Sequence, residues 1–177
     1  MSKPDNNWRS YANVSGVQII AEEIKAPDDF VGSDTIHFSN VQGANVAYSI
    51  IYGLKEDCID IQNKTRDVIV QKCDLYPTGQ YGLTIKGGSS NIELSDNTFF
   101  SHGSVYDIDL GNWSDQSMDK TTGVILRNLT AHDGKPVRVR VLWADRPIVV
   151  GGNVKVTVYP KIVVMAYRWL RKRNLVP

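Results

Sequence analysis

Between Cys58 and Gly103 the chain nearly repeats itself every 24 residues, and that period constrains the fold more than any other feature. Cys58-Ile59-Asp60-Ile61 aligns with Gly82-Leu83-Thr84-Ile85. At the same offset Val68 falls on Ile92, Val70 on Leu94, Cys73 on Asn97, Leu75 on Phe99 and Gly79 on Gly103. A later copy begins at Asp107-Ile108-Asp109-Leu110, one residue late. An earlier one, Thr35-Ile36-His37-Phe38, stands 23 residues before Cys58-Ile59-Asp60-Ile61, and Val46-Ala47-Tyr48 stands 22 before Val68-Ile69-Val70. Internal periods of this size mark stacked architectures. Each unit holds two short alternating runs separated by polar turns and no helix-length segment. The expected fold is therefore all-β, a single parallel β-helix whose turns bury a core only by stacking.

Three segments are expected. Residues 1–15 read as a polar N-terminal arm, 16–160 as the β-helix and 161–177 as a C-terminal cap or docking tail. Trp8 and Tyr11 are the anchors available to the arm. The run 112–122 (NWSDQSMDKTT) is a polar insertion between turns, the kind of loop on which solenoids carry specificity. Strands resume at Gly123-Val124-Ile125-Leu126. Val137-Arg138-Val139-Arg140-Val141 alternates strictly, apolar in and charged out. Ile148-Val149-Val150 and Val154-Lys155-Val156-Thr157-Val158 are the last strands. Beyond them the apolar and aromatic residues Ile162, Val163, Met165, Tyr167, Trp169 and Leu170 run into Arg171-Lys172-Arg173. Periodicity does not decide helix from strand there. A solenoid end exposes apolar side chains and unpaired edges, so this tail either caps the last turn or docks on a partner.

Bulk properties exclude several classes. A net charge of +1 does not favour a nucleic-acid partner. No apolar run reaches the ~20 residues that span a bilayer, and the N-terminus lacks the apolar stretch of a secretory signal. Synthesis in a cytoplasm is expected, with the chain kept there or built into a particle. On that reading the sequons at Asn13, Asn63, Asn112 and Asn128 are coincidental. Cys58 and Cys73 read as buried thiols in a reducing compartment, with a disulfide bracing one turn as the rival. There is no phosphate loop, dinucleotide fingerprint or nucleophile elbow. His37, His102 and His132 are far apart in sequence, so neither a metal site nor a cofactor is assigned.

Side chains alternate across a strand. With Ile36/Phe38, Ile59/Ile61, Leu83/Ile85, Ile108/Leu110 and Val139/Val141 pointing inward, an outward column reads His37, Asp60, Thr84, Asp109, then Arg138 and Arg140. Strands stack about 4.8 Å apart, which puts Asp60 and Asp109 roughly 10 Å from each other. That is near the upper limit for the carboxylate pair of an inverting glycosidase. Solvated surface charge is the simpler expectation for this column.

Glu56-Asp57-Cys58-Ile59-Asp60-Ile61, then Cys73, then Gly79-Gln80-Tyr81-Gly82-Leu83-Thr84-Ile85 resemble the central turns of polygalacturonases. That family carries a D-D-C-x-x-[IV] strand, a second cysteine and G-H-G-L-S-I. Gly32-Ser33-Asp34-Thr35-Ile36 resembles its N-T-D-G-F strand. The resemblance runs from Asp34 to Gly88 and implies a right-handed, pectin-lyase-like parallel β-helix, a scaffold also similar to those of phage tailspikes and other virion proteins. It further implies that Asp34, Glu56 and Asp57 form an acidic cluster in which one acid protonates the leaving oxygen and another activates water. The chain departs from the family in four ways. The family's His falls on Tyr81, its R-I-K strand falls near Asp107-Ile108-Asp109, its first paired Asp is Glu56, and the chain is much shorter.

Two kinds of function follow as expectations. The first is a non-catalytic structural protein of a larger assembly, a phage virion component such as a capsid decoration or tail-associated β-helix. It would be a homo-oligomer, trimeric by analogy, docking through Trp8, Tyr11, Tyr167, Trp169, Arg171, Lys172 and Arg173. The alternative is a small glycoside hydrolase using Asp34, Glu56 and Asp57, or a glycan-binding module. In that module Asp60, Tyr81, Asp109 and Trp113, with Tyr76 and Tyr106, would meet a surface polysaccharide.

Overall fold

The computed structural model describes residues 8–25, 34–53, 56–102, 106–111 and 119–173. The chain winds as a parallel β-solenoid of about 5 turns. The first turn holds β1 (Arg9–Ala12), β2 (Ser15–Ile20) and β3 (Glu23–Lys25), and the second β4 (Ile36–Ser39), β5 (Gln42–Ala47) and β6 (Ile50–Gly53). The third holds β7 (Ile59–Gln62), β8 (Arg66–Gln71) and β9 (Asp74–Pro77), and the fourth β10 (Leu83–Ile85), β11 (Ser90–Ser95) and β12 (Thr98–Phe99). The fifth holds β13 (Ile108–Leu110), β14 (Thr122–Arg127) and β15 (Thr130–Ala131). The chain then closes with β16 (Val137–Val141), β17 (Ile148–Val150), β18 (Val154–Val158) and helix α1 (Lys161–Lys172).

Like strands of successive turns stack into three parallel sheets. The first runs β1-β4-β7-β10-β13-β16-β18, the second β17-β14-β11-β8-β5-β2 and the third β15-β12-β9-β6-β3. The repeat therefore contains three strands, not two. The third escaped the sequence pattern because its strands are short and contribute one core side chain per turn: Ile24, Ile51, Leu75, Phe99 and Ala131. In the first sheet Ile36, Ile59, Leu83, Ile108 and Val139 are in register, and so are Phe38, Ile61, Ile85, Leu110 and Val141. All ten are buried, and burial of each aliphatic or aromatic side chain stabilises by about 1.5–3 kcal/mol relative to exposure.

One register differs from expectation. Val46 pairs with Val70, an offset of 24 (70 − 46) instead of 22, and Ala44 pairs with Val68. Tyr48 is not a strand residue facing inward. It takes the corner after β5 with φ 54° and is 58% exposed. Among the described residues, left-handed residues turn the chain at Asn13, Asn40 and Asn63 (φ 56°, 54° and 55°) between the first and second sheets, and at Ala21, Tyr48, Lys72, Asp96 and Asn128 between the second and third. Asn tolerates this conformation better than most residues. It also links turns, because Asn40 Nδ2 donates to Asn13 Oδ1 at 2.8 Å and Asn63 Nδ2 to Ser39 Oγ at 2.9 Å.

Regular elements reach both ends of the described chain. Within the segment expected to be an arm, β1 pairs with β4 as the edge of the first sheet, and the Tyr11 ring stacks on Phe38 with centroids 5.6 Å apart. The tail resolves as helix over Lys161–Lys172. Both cysteines are free, buried thiols, so no disulfide braces the turn. Cys58 donates to the Ile51 carbonyl and Cys73 to the Gln71 carbonyl.

Candidate functional site

Strand pairing puts His37, Asp60, Thr84, Asp109 and Arg140 in one row across the outer face of the first sheet. The row is not solvated. Asp60 is 2% exposed, Thr84 and Asp109 are fully buried and Arg140 is 5% exposed. Burying charge is tolerated only with partners, and those partners divide the row into two halves.

At the C-terminal half each acid meets an arginine one turn later. Arg140 Nε and Nη2 donate to Asp109 Oδ1 and Oδ2 at 2.9 and 2.7 Å. Its Nη2 also reaches the Tyr81 hydroxyl at 2.7 Å, and its guanidinium lies over the rings of Tyr81 and Tyr106. Burial pushes the Asp109 carboxyl above its ordinary value against the pull of Arg140, while Asp109 holds the guanidinium above its own value despite burial. Two bonds this short are those of an ionised pair. Asp107 is held likewise, accepting from the Arg138 backbone at 2.7 Å and its Nη2 at 3.0 Å, with His102 Nδ1 at 3.1 Å. The charge reversal at Asp107 and Asp109 is thus neutralised by the arginines of β16.

At the N-terminal half the carboxylates outnumber the cations. Asp34 and Asp57 precede β4 and β7 by two residues each, so the pairing of Ile36 with Ile59 brings them side by side. The Asp57 N–H donates to Asp34 Oδ1 at 3.3 Å. Lys86, just after β10, sends its ammonium to Asp60 Oδ2 at 3.2 Å. Burial first, then Asp60, pushes Asp34 up to about 7. Burial, then Asp34 and Asp60, pushes Asp57 up to about 8. Burial raises Asp60 to about 6 against the pull of Lys86. Burial opposes the Lys86 ammonium, but Asp60, Asp34 and Asp57 outweigh it and hold its pKa above that of an ordinary lysine. The Thr84 hydroxyl lies near enough to Asp57 to favour its charged form, yet it closes no hydrogen bond of good geometry.

His37 joins this half. Its Nε2 is 2.7 Å from the Gln62 amide, and one ligand atom from each of Asp34, His37 and Asp60 falls within 4.8 Å of the other two. Burial lowers the His37 pKa, which favours the neutral ring. The motif resemblance pointed to Asp34, Glu56 and Asp57. It missed Lys86 and Gln62, which lie two residues beyond the nearest row positions, while His37 and Asp60 were legible only as members of the row.

Several residues expected to bind a glycan make contacts within the protein. Asp109 is paired, and the ring and hydroxyl of Tyr81 both serve Arg140. Tyr76 is stacked between Tyr52 and Phe100, with centroids 4.8 and 4.7 Å away, in a row that ends at His132. Trp113 lies outside the described residues. Open hollows of about 420 and 430 Å³ lie along the corner between the first and second sheets, lined by Lys64 and Arg66 among others, and not by Asp34, Asp57 or Asp60. Of the expected docking residues, Trp8 and Trp169 are 38% and 50% exposed. The Arg173 guanidinium lies 3.9 Å from the Trp169 ring centre, and the side chains of Tyr167, Arg171 and Lys172 lie outside those described.

The fold and the row define a protein of the parallel β-solenoid class, with a buried ionic row on one outer face. Comparison with known proteins goes no further: no family model matches the chain, and no curated protein or solved structure is significantly similar to it.

Proposed function

We propose that this chain is a non-catalytic structural protein of a larger assembly, a virion component of the capsid-decorating or tail-associated kind. The observation that carries the reading is the C-terminal end of the solenoid. Inner strands bury at least every second side chain, but all three residues of β17 are exposed: Ile148 by 60%, Val149 by 41% and Val150 by 39%. Val158 of β18 and Val163, Met165 and Trp169 of α1 are exposed as well. Among the described residues, strands β17, β18 and β15 each end a sheet. Apolar side chains beside unpaired backbone form a surface suited to another chain, and a second copy of this protein is the occupant proposed. A trimer, the virion role and a pectin-lyase-like ancestry rest on analogy of fold and motif. On this reading the chain is made in a cytoplasm and built into a particle. Among the described residues no helix is long and apolar enough to cross a membrane.

Light scattering on the purified protein tests the reading, with Ile148→Lys/Val150→Lys beside it. The native chain should be a discrete oligomer and the double variant a folded monomer. A native chain that is monomeric at tens of micromolar would sink the proposal.

One observation favours a second reading, a glycan hydrolase. Asp34, Asp57 and Asp60 are raised to about 7, 8 and 6, the range in which a carboxyl both donates and accepts protons near neutrality. Lys86, Arg138 and Arg140 already hold carboxylates, so a neutral glycan suits this face better than a uronate. Release of sugar that disappears in Asp57→Asn would establish this reading. Failure to release sugar from polygalacturonate and a panel of neutral surface glycans would remove it.

A further inference from the structure

The N-terminal half of the buried row has too much negative charge and too few partners. Asp34, Asp57 and Asp60 gather around one ammonium, Lys86, with Glu56 near Asp34 and Asp60. Each remaining carboxylate must be neutralised by a proton or a cation, because isolated charge is not left in a buried site. Two buried oxygens in the same row point the same way. Asp60 Oδ1 and Thr84 Oγ1 lie on adjacent turns, are shielded from water and close no hydrogen bond of good geometry, although Asp34 stands near enough to Asp60, and Asp57 to Thr84, to interact. Unpartnered buried polar atoms are rare enough to need an explanation, and for Asp60 Oδ1 a bound cation supplies one. Lys86 occupies only Oδ2 of Asp60 and so leaves Oδ1 to face one.

We propose that Asp34, His37 and Asp60 bind one first-row divalent cation of the zinc or manganese kind, tying β4 to β7 on the outer face of the first sheet. Their ligand atoms lie within 4.8 Å of one another. Ligands of such an ion in tetrahedral geometry, each about 2.0–2.2 Å from it, stand about 3.3–3.6 Å apart. Side-chain rotations that draw the ligand atoms together by about 1 Å therefore close the site. One imidazole nitrogen with two carboxylates selects zinc or manganese over calcium and magnesium, which prefer all-oxygen shells. Gln62, 2.7 Å from the His37 ring, holds its orientation in the way outer amides and carboxylates hold ligating imidazoles. The dication offsets the excess carboxylate charge and gives Asp60 Oδ1 its missing partner. It also adds a link between two turns already joined here by strand pairing and by the Gln62–His37 and Asp57–Asp34 hydrogen bonds.

The test uses the full-length chain stripped with a chelator and dialysed. Manganese is titrated by electron paramagnetic resonance and zinc by calorimetry, each beside a thermal melt, with calcium as the control. The expected result is one equivalent of manganese or zinc and a melting temperature that rises with metal concentration. Asp60→Asn keeps the shape and removes the charge, so it should fold, and it should lose binding at least tenfold. His37→Gln should lose the preference for zinc and manganese over calcium. The proposal fails if the native chain takes up less than one equivalent at millimolar metal. It also fails if Asp60→Asn binds as the native chain does, or if calcium binds as tightly as manganese.

Discussion

Arg140 reaches back one turn to grip Asp109 with two charge-assisted bonds, in a place where the two side chains are 6% and 0% exposed. Removing one partner of such a pair leaves the other charged and dry, at a cost of about 3–5 kcal/mol. Arg140→Met should therefore lower the melting temperature by roughly 10 °C in a domain of this size. Because paired removal is far milder, Asp109→Leu/Arg140→Met should regain most of that loss. A single variant that melts like the native protein would show that the pair adds nothing.

Asn97 staples two turns from inside. Its Oδ1 accepts the Cys73 N–H at 2.9 Å, and its Nδ2 donates to the Val70 carbonyl at 2.8 Å, with the residue 1% exposed. Asn97→Ala strands two buried backbone groups, for a loss of about 2–4 kcal/mol. A urea unfolding curve reads this as a lower midpoint with an unchanged slope. An unshifted midpoint would mean that water or a local rearrangement replaces the amide.

Burial drives the Cys58 thiol far above its ordinary value and Cys73 up to about 11. At pH 8 a thiol with a pKa near 11 is ionised to about one part in a thousand, and the thiolate is the reacting form. Ellman's reagent should leave both thiols untouched in the native protein at pH 8 and titrate two after denaturation. Raising the pH should expose Cys73 to reaction before Cys58. Rapid native labelling at pH 8 would contradict the burial described.

The row Tyr52, Tyr76, Phe100 and His132 loses two ring contacts when Tyr76 is replaced but only one when Tyr52 is. At about 0.5–1.5 kcal/mol for each pair, Tyr76→Leu should destabilise by about 1–3 kcal/mol and Tyr52→Leu by about half as much. Equal losses in the two melts would show that burial, and not ring stacking, sets the value.

The fold was legible because the core is written as columns. Ile59 over Leu83 and Val68 over Ile92 are spaced alike, so a repeat in the letters is a repeat in space. The third sheet stayed hidden because β12 and β15 have two residues each, too few for an alternation to register. The row Thr84-Asp109-Arg140 was legible in position but not in environment. Alternation says that a side chain points outward, and it does not say whether anything covers it. The ionic pairs join residues 31 apart across an irregular turn, so the arginines of β16 could not be matched with Asp107 and Asp109 from spacing. Asp34 and Asp57 were found through a motif, whereas Lys86 and His37 join them only because three turns stack.

From the third turn to the fourth all three sheets advance by the same 24 residues, Ile59 to Leu83, Val68 to Ile92 and Leu75 to Phe99. A tandem copy of residues 59–82 would therefore enter the chain without displacing any inward or outward position. It would lengthen the rod by one strand spacing, about 4.8 Å. Length here is quantised, and the gene can act as a molecular ruler whose graduations are whole turns.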